Sequence, residues 1–204
     1  MKALAVLIAL MASCSSGPQS QGNMQTPVEA RKEPQMNIPK DTWEPIFFKA
    51  IDERARIANL KTLRSAALPD GDLEVRVWFG FGLTALEGLV LRRVAGQWFA
   101  IYLDGVVDKV NSNKSKRNLH APKSGWDLCW QRLQDAGLLT LPDAAAIGCS
   151  GNATDGMSYV VEYNHAGIYR TYLYDNPNYA KCDEAKRMIR LVNLISEEFG
   201  VRQN

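Results

Sequence analysis

From Leu73 to Leu83 the chain reads LEVRVWFGFGL, with an apolar residue at every second position: Leu73, Val75, Val77, Phe79 and Phe81. Period-two alternation marks a strand with one face in a core and the other toward water. Glu74, Arg76 and Trp78 take the second face. Gly80 and Gly82 share a face, which is therefore flat or closely approached by another group. Two more strands follow, LEGLVLRRV and QWFAIYLDG, joined at Ala95-Gly96. Their connections are too short for crossovers, so the strands form an antiparallel meander. A later stretch, Asp155 to Pro177, reads DGMSYVVEYNHAGIYRTYLYDNP and predicts a hairpin.

Helical spacing appears in three places. Phe47, Ala50, Ile51 and Ile57, with Trp43, form one apolar face, and Asp41 with Glu44 has the spacing of a capping box. Trp126, Cys129, Trp130 and Leu133 mark a helix over Gly125–Ala136, stopped by Gly137. Ala185, Met188, Ile189, Val192, Ile195 and Phe199 mark a last helix over Asp183–Phe199, with Asp183 and Glu184 at its positive end. There is no internal repeat. The expected class is α+β: an antiparallel sheet of about five or six strands, with about three helices packed mainly on one face.

The first forty residues follow another pattern. Lys2 is followed by an apolar run from Ala3 to Ala12. A spanning helix needs about twenty residues, so this run reads as the core of a secretory signal. The segment Met11-Ala12-Ser13-Cys14 then resembles the lipobox of bacterial lipoproteins. That resemblance implies cleavage of residues 1–13, acylation of Cys14 and insertion of the new N-terminus in a bilayer. Ser15 in place of Asp implies the outer membrane, facing the periplasm. The alternative is an ordinary secreted protein cut after Ser13 or Ser15. Residues 14–40, rich in Pro, Gly, Gln and Ser, read as a lipidated start and flexible tether reaching on the order of 30 Å. Residues 41–204 then form a single globular domain. Cleavage leaves 204 − 13 = 191 residues, enough for one core.

Composition narrows function mainly by exclusion. Hydrophobic residues make up 46% and charged residues 23%, with a net charge of +2, so nothing argues for a nucleic-acid partner. Export places the cysteines in an oxidising compartment. With Cys14 lipidated, Cys129, Cys149 and Cys182 remain, enough for one disulfide. Cys149 and Cys182 both sit in loop sequence and are the expected pair. Cys129, between Leu128 and Trp130, is expected to be free and buried; a catalytic thiol there lacks a charged base nearby in sequence.

Candidate chemistry concentrates in the hairpin. A three-residue turn, His165-Ala166-Gly167, would pair Asn164 with Ile168 and set Glu162 opposite Arg170. One face would then carry Glu162, Arg170, Tyr172 and Tyr174, a charged pair ringed by tyrosines that suits recognition. A solvated cross-strand ion pair is the plainer reading. Glu162 with Asp155 or Asp175 is the candidate carboxylate pair for a hydrolase. His120 and His165 stand alone, the cysteines are far apart, and GFGLTALEG has no Lys-Ser/Thr, so neither a metal site nor a phosphate loop is expected, and no cofactor. Lys109, Lys114, Lys116, Arg117, His120 and Lys123 read as an exposed basic loop, with contact to anionic lipid headgroups or lipopolysaccharide as the alternative. Trp78, Trp98, Trp126 and Trp130 read mainly as packing, with a saccharide site as the alternative. Two functions follow: a non-catalytic, lipid-anchored envelope protein that binds a periplasmic protein or cell-wall component or inhibits a periplasmic enzyme, or a periplasmic hydrolase using paired carboxylates.

Overall fold

The computed structural model of the chain describes residues 35–37, 44–81, 87–105, 114–149, 151, 153 and 156–201. The signal segment, Cys14, most of the tether, Lys109 and Asp155 lie outside the described residues. The elements are β1 (Gln35–Asn37), α1 (Glu44–Ile57), β2 (Leu73–Phe79), β3 (Glu87–Val94), β4 (Gln97–Gly105), β5 (Lys114–Leu119), α2 (Trp126–Ala136), β6 (Ser158–His165), β7 (Ile168–Asp175) and α3 (Asp183–Phe199). The fold is α+β. Six antiparallel strands form one sheet, and β1, taken from the expected tether, adds a short parallel strand along β7. The order is β1-β7-β6-β2-β3-β4-β5.

The two hairpins turn in the same way. Ala95 and Gly96 have φ of 48° and 79°, and Ala166 and Gly167 have φ of 50° and 73°. Positive φ at both central residues is the type I′ turn, whose twist matches that of the flanking strands. The β6–β7 turn is therefore two residues long, not three: His165 belongs to β6 and pairs with Ile168. The register moves by one, so Glu162 lies opposite Thr171, and Tyr163 takes Arg170.

β2 occupies the centre of the sheet, and all seven of its residues are buried. The expected half-solvated strand is corrected on this point, because helices cover both faces. Leu73, Val75, Val77 and Phe79 meet Leu133, Met188, Val192 and Ile195 of α2 and α3. Trp78 meets Phe47 and Ile51 of α1 on the other side. Two of the three helices thus share one face, while α1 covers the opposite one. Gly88, opposite Trp78 in β3, leaves room for the indole: a Cβ there would stand 3.0 Å from the Trp78 ring and 3.1 Å from the Val77 carbonyl. Gly80 ends β2 with φ of 58° rather than flattening a face.

α2 stops where expected, at Gly137 with φ of 104°. The N-cap of α3 is Cys182, whose Sγ accepts from the Ala185 N–H. Cys182 is joined to Cys149, with Cα atoms 5.9 Å apart. Cys129 is free and buried. Burial pushes its thiol up to about 12, so it stays protonated and unreactive at neutral pH. Among the described residues no helix is long and apolar enough to cross a membrane.

Candidate functional site

The one-residue change in register splits the expected hairpin site. Glu162 projects to the α1 face, whereas Arg170, Tyr172 and Tyr174 project to the α2/α3 face, because side chains alternate along each strand. All four are tied into the fold. Arg170 donates to the Leu139 and Leu141 carbonyls, and the Tyr172 hydroxyl donates to the Leu138 carbonyl at 2.9 Å. These bonds fasten the turn after α2 to the sheet. Tyr174 packs edge-on against Tyr172, with ring centroids 6.1 Å apart. Burial raises the hydroxyl pKa of both tyrosines. The four residues therefore form no common surface.

Glu162 is only 1% exposed. It accepts from the Trp78 indole N–H at 2.7 Å and the Tyr169 hydroxyl at 2.8 Å. Burial raises its pKa, an effect opposed by the Arg76 charge and by these two hydrogen bonds. Asp175 lies four positions along β7 from Thr171, the partner of Glu162, or about 13 Å away. It accepts from the Ser158 hydroxyl. Glu162 and Asp175 do not share a cleft. His120 and His165 are both exposed and stand just after β5 and at the end of β6. No group of three His, Cys, Asp or Glu among the described residues is placed to hold a metal.

The α1 face holds a different constellation. Beyond the apolar patch under α1, three adjacent strands bring Glu74, Arg76, Arg92 and Glu162 to the same side. Arg76 Nε donates to Glu74 Oε1 at 2.7 Å, and Arg92 Nε donates to Glu74 Oε2 at 2.7 Å. Arg92 also reaches Glu74 Oε1 through a second nitrogen at 3.3 Å. One carboxylate therefore serves two guanidiniums. The segment after α1 folds over this row and is pinned from below. Arg76 donates to the Lys61 carbonyl at 2.7 Å, and Asn164 donates to the carbonyls of Leu63 and Ala66.

Between that segment and the sheet lies a cleft of about 540 Å³. Residues 59–61 and 65–68 form one wall, and Glu74, Arg76, Arg92 and Lys116 form the other. The volume is that of an ordinary small-molecule site. Lys116 belongs to β5, and this corrects the expected basic loop: residues 114–119 pair with β4 as an edge strand, where exposed polar side chains are tolerated. Arg117, one position on, lies over the Tyr102 ring on the opposite face.

The tryptophans divide as packing demands. Trp78 is fully buried. Trp98 stacks on Trp126 and tilts against Trp130, and Phe199 closes the cluster. They leave no cavity among them large enough for a water molecule.

Of the charged cleft residues, sequence reasoning singled out only Lys116, as part of a basic loop. The available signal was the Glu74-x-Arg76 pair on one face of β2, with Arg92 in the next strand. Charges at those positions in a strand this apolar require partners across the sheet. Compared with known proteins, the chain matches no protein-family description and no curated relative.

Proposed function

We propose that this protein is a lipid-anchored component of a bacterial cell envelope whose folded domain is a non-catalytic binding module. The Cys14 anchor would hold it in the outer membrane, facing the periplasm, with a small molecule, a cell-wall component or a periplasmic protein group seated in the α1-face cleft. The observation that carries the binding reading is the cleft itself, a 540 Å³ recess with charged side chains on a sheet wall fixed by hydrogen bonds. The anchor reading rests on MASC after a short apolar run. Glu162, the carboxylate that hydrolysis would require, is sealed under Trp78 and Tyr169 and does not line the cleft, so binding is the better-supported activity.

Two experiments test the two halves. The precursor is expressed with labelled fatty acid, with and without Cys14→Ala. Label in the wild type and none in the variant is expected; equal labelling, or none in either, removes the anchor. A photocrosslinking side chain is then placed at Leu68, on the cleft wall, and at Asp127, on the exposed side of α2, in intact envelopes. Capture from Leu68 alone is expected. Equal capture from both sites, or none from Leu68, removes the binding reading.

A further inference from the structure

We infer that the α1-face cleft is an oxyanion site, taking a small ligand that carries a phosphate or carboxylate group through Arg76, Arg92, Lys61 and Lys116. The inference deepens the binding reading above and rests on it.

The charge count comes first. The cleft is lined by four cationic residues, Lys61, Arg76, Arg92 and Lys116, and by one acid, Glu74. The covering wall, residues 59–61 and 65–68, contains neither Asp nor Glu. Glu74 is already engaged by both guanidiniums, through both of its oxygens. Even with Glu162, the other carboxylate that acts on Arg76, two acids stand against four cations, so positive charge is left over at the cleft.

The second observation is independent of the count. Arg76 is 98% buried and lines the cleft, yet its NH1 has no hydrogen-bond partner among the described residues. Its other two nitrogens are used by Glu74 and the Lys61 carbonyl. Glu162 accepts from Trp78 and Tyr169 and makes no bond to NH1. A buried donor without an acceptor is uncommon in a folded protein, and an arginine held rigid by its other bonds is preorganised for an oxyanion.

Lys61, on the covering segment, and Lys116, on the sheet, are exposed. They add attraction at the mouth, where charge raises the rate of capture. Ser65 contributes a hydroxyl to the covering wall. The arrangement places the Arg76 guanidinium and Lys116 on the sheet wall and Lys61 on the covering wall, with no acid on the covering wall.

The test uses full-length protein in detergent, titrated calorimetrically with pyrophosphate and, separately, with citrate at constant ionic strength. The two probes distinguish a phosphate ligand from a polycarboxylate. Saturable binding of at least one is expected. Arg92→Gln and the double variant Lys61→Gln/Lys116→Gln should each weaken it at least roughly tenfold. The double variant alters only exposed side chains and should melt at the wild-type temperature. The inference is overturned if neither probe saturates below about 10 mM, or if the double variant binds both as tightly as wild type. Should titration fail while Leu68 still captures a partner in envelopes, the cleft binds something other than an oxyanion and the binding-module reading stands. Failure of both removes both.

Discussion

The two faces of one sheet are buried in opposite ways. On the α2/α3 face, β2 presents Leu73, Val75, Val77 and Phe79 to an apolar layer closed by Met188, Leu191 and Ile195, with the Cys149–Cys182 bond at its margin. On the α1 face the same strand presents Glu74, Arg76 and Trp78, and only the Trp78 end meets apolar side chains. α1 is too short to cover the whole face, so the irregular segment after it covers the rest and leaves a cleft. An apolar layer can close by shape alone. A charged row closes only where each group finds a partner, and a place where the partners run out is where a ligand fits.

The sharpest way to break this comparison is to remove the shared acid. Glu74→Ala leaves Arg76 and Arg92 with no carboxylate between them in a buried setting. It should destabilise by about 3–5 kcal/mol, read from urea unfolding. A loss below about 1 kcal/mol would mean that water reaches both guanidiniums and that the row is not buried electrostatics.

The matching change on the other face is Met188→Ala. Met188 is fully buried in the apolar layer, so the loss of side-chain volume should cost about 2–4 kcal/mol. The difference between the faces should appear in salt. Raising sodium chloride should leave the Met188 penalty unchanged and alter that of Glu74→Ala, because ions can stand in for the missing carboxylate. Equal salt responses would erase the distinction.

A third change addresses the margin of the apolar face. The disulfide joins residues 33 apart and ties the turn before β6 to the start of α3. Cys149→Ser with Cys182→Ser should cost about 2–4 kcal/mol, the chain-entropy model giving about 3.7, read from the melting temperature. Peptide mapping without reductant should link these two cysteines. A link from Cys129 to either would contradict the structure.

How much of this could be read in advance differs between the faces. The strands from Leu73 to Gly105, the helix ending at Gly137 and the helix from Asp183 follow from periodicity and capping, which are local. The apolar face is legible for the same reason: Ala185, Met188, Val192 and Ile195 fall on one stripe. The hairpin register was not, because His165-Ala166-Gly167 fits a three-residue turn as well as Ala166-Gly167 fits a two-residue one. The left-handed backbone of both Ala166 and Gly167 and the pairing of His165 with Ile168 settle it. β2 pairs with β6 across the intervening chain, so burial of its polar side depends on contacts no local pattern contains. β5 was missed because an edge strand of lysines has the composition of a loop. The cleft is the sum of these non-local events: Arg76 from β2, Arg92 from β3 and Lys116 from β5 meet only after the sheet is assembled.

The smallest effect tests whether the charged face is as dry as its geometry implies. Burial raises the pKa of Glu162 above its ordinary value of 4.5, against the opposing Arg76 charge. The folded protein then holds a proton that the unfolded chain has released, so stability falls as the pH rises past about 4.5 and levels off above the raised native value. Glu162→Gln removes the titration. Its carboxamide oxygen can still accept from the Trp78 N–H, and its NH₂ can donate to the Tyr169 oxygen. Wild type minus variant stability should therefore decline as the pH rises past about 4.5, measured by denaturant unfolding at each pH. Taking the difference cancels the other carboxylates. The Met188→Ala protein, altered on the other face, should track wild type over the same range. A difference that instead rises with pH would mean that Glu162 is ionised in the fold and serves Arg76 as a second counter-charge. The excess of positive charge at the cleft would then be smaller by one, and the affinity for oxyanions correspondingly weaker.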